Sequence, residues 1–594
     1  MAPVSRGRLG VGWLLVGALL VLSGWVVAGQ EWASARGTAS GGARGMGSAG
    51  TTGSLPSLAV AEREASDVGP LRGGAQVGFT LTLRDRASAG LAVLLGRGGR
   101  VTRAEWDSTY GPDPSAVGAT RTLLAAAGLS STWTPGDPLL GVTGRAESVE
   151  SFLHVELRHF VLHSGASFYA PLRAPVAPYA IRQEVSAVTG LDDYPAHLAS
   201  AIPHSEYGVS PSEMTSFYDL SPLRDAGIDG AGETVMFVEA AMPAASVLAA
   251  YASKFHLPPF DVSVVKDPAS WGKPDTPTTG GYSDDAGEAS LDLEIVHGLA
   301  PSAKEVVYEF GDDSKFPVMI QAMISSNPGA ILSSSYSMAD CEESPGGRAD
   351  ALALDAVFEK GAAEGTSIFF ASGDRGAYAC LPDGEPSTEG MLSVDPDVDS
   401  PYITGAGGTT AFLASNGAYF KEASWGEPLE TWGSGGGIST IFQQPSYQRA
   451  PGLGQGSLAG RGVPDVACDA DSTVSGWDVF EPPDKSQGEN GPQEFPDGGT
   501  SAAAPCWAAV TALVDEDLAG LGLRSVGFAN PALYYFSRDP TGLPATAFHQ
   551  VTQGSNLHYL ATPGWNAATG LGTPDAAHLA DDFEWYDREQ PAGD

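Results

Sequence analysis

One serine of the chain lies in a setting that would suit a nucleophile. Ser501 belongs to the stretch "GGTSAAAP" (498–505), in which two glycines precede the serine and small apolar residues follow it. This pattern predicts that Ser501 lies at the start of a buried helix. A serine hydroxyl is a weak nucleophile by itself, so a neighbouring base must accept its proton.

Histidine is the base most often paired with such a serine. Of the ten histidines, His297 is the one that precedes a glycine, within "LEIVHGLAP". A base of this kind would open a helix, whereas His297 lies at the end of a helical pattern. We therefore interpret His297 as a residue that interacts with the last turn of its helix, and keep it as the alternative base.

Acidic residues supply another candidate for the base. Glu288 and Asp292, in "GEASLDLEI", are four residues apart, so a helix would place both on one face. If both are buried, the two carboxyl groups are coupled and one holds a proton at a raised pKa. A carboxylate of suitable pKa can replace imidazole as a general base.

A third acidic residue follows a strand-like run. Asp374 ends the stretch "TSIFFASGD" (366–374), in which apolar residues precede a glycine turn. A protonated aspartic acid at this position could donate a hydrogen bond to an oxyanion, but only at low pH. The serine and the acidic residues together predict peptide-bond chemistry in acid.

In order and spacing these motifs resemble those of the sedolisins, serine-carboxyl peptidases that share the subtilisin fold and act in acid. The segment "RGVPDVACDADS" adds to the resemblance, which covers the chain from about residue 74 to its C-terminus. The resemblance implies that Ser501 is the nucleophile and Glu288 the general base. It also implies that Asp292 orients Glu288 and shares its proton, and that Asp374 stabilises the oxyanion.

The same resemblance implies supporting residues. Glu239, in "VMFVEA", matches an auxiliary acidic residue that some members link to the acidic pair. The strand expected to line the substrate cleft contains Ser333, Ser334, Ser335 and Tyr336. The family usually has a glycine after the aromatic residue, and Ser337 in its place would narrow or reshape the cleft.

The family also binds one Ca²⁺ near the C-terminus through two aspartates and several backbone carbonyls. Gln550 and Asn566 stand where the two aspartates would be, while Gly564 and the carbonyls of Val551 and Thr562 remain. Calcium prefers anionic oxygen ligands, so both replacements weaken the site. We expect no tight calcium site and no required cofactor.

The chain of 594 residues is too long for one ordinary domain. The composition and the resemblance predict a signal peptide or membrane anchor (1–30), a flexible linker (31–72), a pro-kumamolisin-like activation domain (73–195), a processing linker (196–209) and a catalytic domain (210–590). The fold class is α/β, with a mainly parallel sheet flanked by helices in the catalytic domain and an α+β pro-domain before it.

The composition limits the partners and the location of the protein. A formal net charge of −39 argues against nucleic-acid binding, which needs a basic surface. Arg6 and Arg8 precede an apolar run from about residue 9 to 28, which predicts secretion, with an uncleaved membrane anchor as the alternative. The expected partners are peptide substrates and the chain's own pro-domain, in a monomer. Among four cysteines we predict a disulfide between Cys341 and Cys380.

The leading hypothesis is a secreted, acid-acting serine-carboxyl endopeptidase made as a self-processing proenzyme, with tripeptidyl-peptidase action left open. The alternatives are a neutral subtilisin-like protease that uses His297, and a catalytically silent exported binding protein. A rate that falls as pH rises through about 5 to 6 would favour a carboxylate base over histidine.

Overall fold

The computed structural model describes residues 65–71, 74–86, 88–162, 167–193, 208–267, 271, 284–311, 313–336, 342, 345–380, 390–427, 432–449, 457–483, 490–538, 543 and 546–589. The predicted signal or anchor segment and most of the two predicted linkers lie outside these ranges. Within the described ranges, no helix is both long and apolar enough to cross a membrane.

The first described part of the chain is an α+β domain. Its strands are β1 (Ala65–Pro70), β2 (Gln76–Leu83), β3 (Ser130–Thr132), β4 (Leu139–Arg145), β5 (Leu157–Leu162), β6 (Ser167–Pro171) and β7 (Val185–Thr189); its helices are α1 (Ser88–Leu95), α2 (Pro114–Ala126) and α3 (Ala146–Leu153). A helical turn, Arg103–Glu105, continues into a π-helical turn, Trp106–Tyr110. Antiparallel strands form one sheet in the order β3-β4-β2-β7 and another in the order β1-β5-β6.

The second part is built on one large sheet. Its strands are β8 (Thr234–Glu239), β9 (Val262–Lys266), β10 (Lys304–Glu309), β11 (Ile331–Ser334), β12 (Ser367–Ala371), β13 (Thr404–Leu413), β14 (Tyr419–Ser424) and, beside β13, β19 (Val466–Asp469). Their order is β14-β13-β12-β11-β8-β10-β9, and every pairing is parallel except that of β13 with β14. The predicted mainly parallel sheet is confirmed.

Helices and short hairpins complete this domain. The helices are α4 (Pro211–Phe217), α5 (Ser221–Asp225), α6 (Ala245–Phe255), α7 (Asp284–Leu299), α8 (Phe316–Ser326), α9 (Pro345–Glu364), α10 (Thr500–Gly520), α11 (Asn530–Phe536) and α12 (Ala576–Glu589). The short strands are β15 (Gly426–Glu427), β16 (Trp432–Gly433), β17 (Gly437–Ile438), β18 (Gly462–Val463), β20 (Trp477–Glu481), β21 (Gln493–Asp497), β22 (Phe548–His549) and β23 (Thr573–Pro574).

Both faces of the large sheet are covered, because alternate residues of its strands enter different cores. In β8, Val235 and Phe237 join the core that contains α7 and α10. Met236 and Val238 join a second core with α8 and α9 on the other face. This double burial explains why the strands are apolar at nearly every position rather than at every second one.

The two domains are in contact through α9 and its neighbours. Helix α9 packs against β7, β2 and α1 of the first domain. The backbone N–H of Leu139 donates to the side-chain carbonyl of Gln321 across the boundary at 3.0 Å. The guanidinium of Arg100 donates to the hydroxyl of Ser525 in the second domain, also at 3.0 Å.

A disulfide joins Cys468 in β19 to Cys506 in α10, two fully buried residues that are 38 positions apart. It ties the helix of Ser501 to the sheet. Cys380 is also disulfide-bonded. Its predicted partner, Cys341, lies outside the described residues, so the pairing of these two stays a prediction.

We predict that replacing both Cys468 and Cys506 by alanine lowers the free energy of unfolding by about 2–4 kcal/mol, because the cross-link restricts the unfolded chain. Chemical denaturation of the purified precursor would measure the change. A Ser501→Ala precursor is the reference protein, so that self-cleavage does not confuse the comparison. An unchanged unfolding midpoint would contradict the prediction.

Candidate active site

The nucleophile candidate lies at the start of α10. Gly499 precedes this helix with a φ of 77°, a backbone conformation that side-chain-bearing residues rarely adopt. Ser501 is the second residue of the helix and is partly exposed, whereas Thr500 and Ala502 are buried. The Ser501 hydroxyl forms a hydrogen bond with the carboxyl group of Glu288.

Glu288 and Asp292 come from α7, which packs directly against α10. Ala286 and Ala289 are buried in α7, and Ala502 and Ala503 are buried in α10. Small side chains on both helices let their backbones approach closely. The spacing of four residues places Glu288 and Asp292 on one face of α7, as predicted.

A third carboxyl group extends this pair. Glu239 is the last residue of β8 and is fully buried, and its carboxyl group hydrogen-bonds to that of Asp292. A bond between two carboxyl groups requires that one of them carry a proton. Glu288, Asp292 and Glu239, which we call the acid chain, are thus coupled: Asp292 hydrogen-bonds to Glu239, and its charge acts on Glu288.

Desolvation is the largest cause of the pKa shifts of these three carboxyl groups. Burial, together with the charges of Asp292 and its neighbours, raises the pKa values of Glu239 and Glu288 well above the usual range. Burial raises the pKa of Asp292 to about 7, although hydrogen bonds from Ser335 and Glu239 act in the opposite direction. The acid chain can hold protons at a pH at which exposed carboxyls would have lost them.

Asp374 approaches Ser501 from the end of β12. Its Oδ1 accepts hydrogen bonds from the backbone N–H of Thr500 at 2.7 Å and from the Thr500 hydroxyl at 2.8 Å. The turn before it depends on Gly373, which has a φ of 95° and donates its N–H to the Thr500 hydroxyl oxygen at 3.0 Å. Burial raises the pKa of Asp374. The carboxyl is thus held beside the nucleophile and kept protonated into a higher pH range.

Asp497 is a further acidic residue of the site to which the sequence analysis gave no role. It ends β21, four residues before Ser501, and accepts the N–H of Gly498 at 2.7 Å. Burial, with a contribution from the charge of Asp374, raises its pKa to about 6, and its own charge raises the pKa of Glu288. The stretch "PDGGTS" contained the signal, since an acidic residue directly precedes the two glycines.

Comparison with known proteins agrees with this geometry. Residues 63–194 match the family described as "Pro-kumamolisin, activation domain". Kumamolisin of Bacillus sp. (strain MN-32) is 29% identical over 561 residues, which cover 87% of this chain and 93% of that protein. Sedolisin of Pseudomonas sp. (strain 101) is 26% identical and is matched over 75% of each chain.

A solved structure of Pseudomonas sedolisin, described as a serine-carboxyl proteinase complexed with two molecules of pseudo-iodotyrostatin, is also similar. It aligns with a TM-score of 0.51 and 26% identity, over 65% of this chain and 99% of that one. The chain therefore resembles the sedolisins in sequence and in fold over most of its length.

His297 does not take part in this sedolisin-type site. It is 1% exposed, its Nε2 lies 2.8 Å from the carbonyl oxygen of Pro258, and its ring stacks on Phe260 at a centroid distance of 3.7 Å. Burial lowers its pKa to about 4. The described contacts of the ring are with Pro258 and Phe260 rather than with Ser501, so the geometry does not support the alternative in which His297 is the base.

The residues expected to line the substrate cleft are mostly buried. Ser333 and Ser334 are fully buried in β11, between β8 and β12. Tyr336 is 5% exposed, and its hydroxyl oxygen accepts the N–H of Ala240 at 3.2 Å. The Ser335 hydroxyl contacts Asp292. Contact of these four residues with substrate stays a prediction, and the described side chains of Ser333 and Ser334 face the interior of the sheet domain.

In the segment that corresponds to the family's calcium site, the side-chain amide of Asn566 hydrogen-bonds to the surrounding backbone. The Oδ1 of Asn566 accepts hydrogen bonds from the backbone N–H groups of Ala568 at 3.1 Å and Thr569 at 3.0 Å. Its Nδ2 donates to the carbonyl oxygen of Thr562 at 3.1 Å, which is one of the expected ligands. Gln550 is exposed.

The donor set therefore does not fit Ca²⁺ well. Neither Gln550 nor Asn566 is anionic, and an N–H group already occupies the expected carbonyl ligand. Val551 is buried, and Gly564 takes a φ of 77° in the same segment. Among the residues that the structure describes, no group of three or more His, Cys, Asp or Glu side chains could hold a metal.

We predict that excess calcium and EDTA give the same thermal unfolding midpoint for the wild-type chain. Asn566→Asp should lower the stability in EDTA by about 1–2 kcal/mol, because it removes the donor to Thr562. Combining it with Gln550→Asp restores two carboxylates, and this double variant should be stabilised by calcium. If calcium stabilises the wild-type chain, the hydrogen bonds of the Asn566 amide do not stand in for a bound calcium ion and the prediction is wrong.

Proposed function

We propose that this chain is a secreted serine-carboxyl endopeptidase that acts in acid and is made as a self-processing proenzyme. The observation that carries the proposal is the hydrogen bond between the Ser501 hydroxyl and Glu288. Asp292 belongs to the same cluster of carboxyl groups, and Asp374 accepts a hydrogen bond from Thr500, the residue next to Ser501. The relatives named serine-carboxyl proteinase and kumamolisin support the same reaction class.

In the proposed reaction, Ser501 Oγ attacks the carbonyl carbon of the peptide bond while its proton passes to Glu288. Protonated Asp374 donates a hydrogen bond to the developing oxyanion. Glu288 then gives its proton to the leaving amine, and an acyl-enzyme remains. Water attacks this ester with Glu288 again as the base, which releases the second product and restores Ser501.

The protonation requirements of these steps place the reaction in acid. Asp374 must be protonated, because its ionised form cannot donate a hydrogen bond and would repel the oxyanion. Glu288 must be ionised to accept the proton of Ser501, while Asp292 and Glu239 hold the remaining protons of the acid chain. As pH rises, the loss of the Asp374 proton ends activity.

The first domain is proposed to inhibit the enzyme until acid weakens its docking. Ion pairs cross the boundary: Lys360 of α9 lies 3.6 Å from Asp137, and Arg103 lies 3.6 Å from Glu364. Burial raises the pKa of Asp137, so this carboxyl is neutralised at a higher pH than an exposed aspartate would be. Acidification removes its attraction to Lys360 and loosens this part of the interface.

A second pair at the interface responds in the opposite direction. Asp85, two residues after β2, hydrogen-bonds to Glu359 of α9, and burial raises both pKa values. The Tyr402 hydroxyl also donates to Glu359, at 2.8 Å. This carboxyl pair needs a proton, so it stabilises docking in acid and not at neutral pH. Release in acid must therefore come from the ion pairs and from cleavage of the connection.

We predict that Ser501→Ala abolishes peptidase activity and leaves the purified precursor unprocessed. Glu288→Gln should be nearly as damaging, because an amide cannot accept the serine proton. His297→Ala is the matched control and should keep most activity. A loss of more than about a hundredfold in His297→Ala, comparable to removal of a base, would favour the neutral histidine-dependent enzyme.

We also predict that the precursor processes itself at about pH 4 and not at about pH 7. N-terminal sequencing over time should find the new N-terminus between about residues 190 and 210, in the connection between the domains. Asp137→Asn should speed processing near neutral pH, because it removes the charge that attracts Lys360. Equal processing of the wild type at both pH values would contradict the acid switch.

A further inference from the structure

The hydroxyl group of Ser335 contacts two parts of the active site at once. Ser335 directly follows β11, and its Oγ lies 2.7 Å from Oδ1 of Asp292 and 3.0 Å from the backbone carbonyl oxygen of Ser501. Strand β11 lies between β8 and β12, so its end lies among the elements that contribute Glu239 and Asp374. Ser335 thus joins the acid chain to the helix of the nucleophile.

The carbonyl of Ser501 needs such a donor because of Pro505. In an α-helix the carbonyl of residue 501 would accept the N–H of residue 505. Residue 505 is a proline inside α10, is buried, and has no N–H to donate. The Ser335 hydroxyl supplies a hydrogen bond to the carbonyl that the proline leaves without its helical partner.

The two contacts of Ser335 compete for one proton. A carbonyl oxygen can only accept, so the Ser335 hydroxyl must donate to Ser501 if that bond is formed. The bond between Ser335 and Asp292 then requires that Asp292 be the donor, and hence protonated. When Asp292 is ionised, Ser335 donates to Asp292 and the carbonyl of Ser501 loses its partner.

The groups around Asp292 are acidic or neutral. Glu288 precedes it by one turn in α7, and Glu239 contacts it from β8. Ser335 contacts it from the end of β11, and Tyr336, the next residue, has its hydroxyl on the Ala240 N–H. Burial keeps the pKa of Asp292 near 7, so its protonated form is the one present in acid.

We propose that Ser335 is a positioning residue that couples the protonation of Asp292 to the placement of Ser501 at the start of α10. This inference rests on the proposed function, because it assigns Ser335 a role in the same reaction. It differs from the substrate contact expected for Ser335 from the family resemblance. In acid, both hydrogen bonds hold and the nucleophile is fixed; after Asp292 ionises, the start of α10 is held less firmly.

Ser335→Ala tests the coupling, with Ser335→Thr as the conservative variant that keeps a hydroxyl. We expect Ser335→Ala to lower kcat roughly tenfold with little change in KM, the effect of one lost hydrogen bond. In the pH profile of kcat, the change that follows ionisation of Asp292 should move upward by about one pH unit. The reason is that Asp292 loses a donor that stabilises its ionised form. Ser335→Thr should keep most of the wild-type kcat and most of the wild-type pH profile.

Ser290→Ala is the matched control. Ser290 lies on α7 between Glu288 and Asp292, is fully buried, and donates only to the carbonyl of Ala286 within its own helix. The Ser290→Ala substitution should leave kcat and its pH profile unchanged. If Ser335→Ala instead raises KM while kcat and the pH profile stay as in the wild type, Ser335 is a substrate contact and the inference is wrong.

A measurement that does not depend on peptidase activity separates this inference from the proposed function. In a Ser501→Ala background, the unfolding midpoint is followed against pH with and without Ser335→Ala. Because Asp292 has a raised pKa in the folded state, its contribution to stability is present in acid and is lost as pH rises through about 7. Ser335 donates to the ionised form of Asp292 and so lowers its folded-state pKa; Ser335→Ala removes this bond and raises that pKa further. The destabilisation that it causes should therefore grow between about pH 5 and pH 8.

Pro505→Ala provides a second variant for the same measurement. It returns an N–H to the carbonyl of Ser501, so Ser335→Ala should cost less stability in this background in acid. If Ser335→Ala causes the same destabilisation at every pH, and the same with and without Pro505→Ala, the proposed coupling is wrong. Absence of peptidase activity in the wild type at every pH would instead overturn the proposed function and leave this measurement valid.

Discussion

The site depends on the removal of several carboxyl groups from water. Asp292 and Glu239 are fully buried, and neither has a cation among the groups that perturb its pKa. A buried carboxylate without a counter-charge is costly, so these groups stay protonated or share a proton. The burial of apolar side chains on both faces of the large sheet, and between the closely packed helices α7 and α10, offsets that cost. The same burial that is costly for stability raises the pKa of Asp374, which favours the protonated form that the proposed oxyanion donor requires.

Parts of this arrangement follow from short stretches of sequence. The spacing of Glu288 and Asp292 fixes their common face on α7, and the glycines before Thr500 fix the turn into α10. Asp374 was predictable because an apolar run and a glycine turn mark the end of a strand. The parallel sheet was predictable because its strands are apolar at consecutive positions, which indicates burial on both faces.

Other parts depend on contacts between distant segments and could not be read from local patterns. The bond from Ser335 to Ser501 joins residues 166 positions apart, and the pairing of Cys468 with Cys506 depends on how α10 crosses β19. Nothing in the stretch around Asn566 indicated that its amide would take both the N–H groups of the turn and the carbonyl of Thr562. Family resemblance placed Ser333 and Ser334 at the cleft, whereas their burial follows from strand order, which resemblance alone did not provide.

Repulsion among the carboxyl groups has one more consequence. Groups that repel each other lose their protons in separate steps, so the acid chain keeps a single negative charge over a broad interval of pH. The hydrogen bond between Asp292 and Glu239 lets these two carboxyl groups share one proton. In the proposed reaction, the proton taken from Ser501 stays within this cluster until it passes to the leaving amine. A titration of the site would accordingly follow the cluster as a whole, with apparent pKa values that belong to no single carboxyl group.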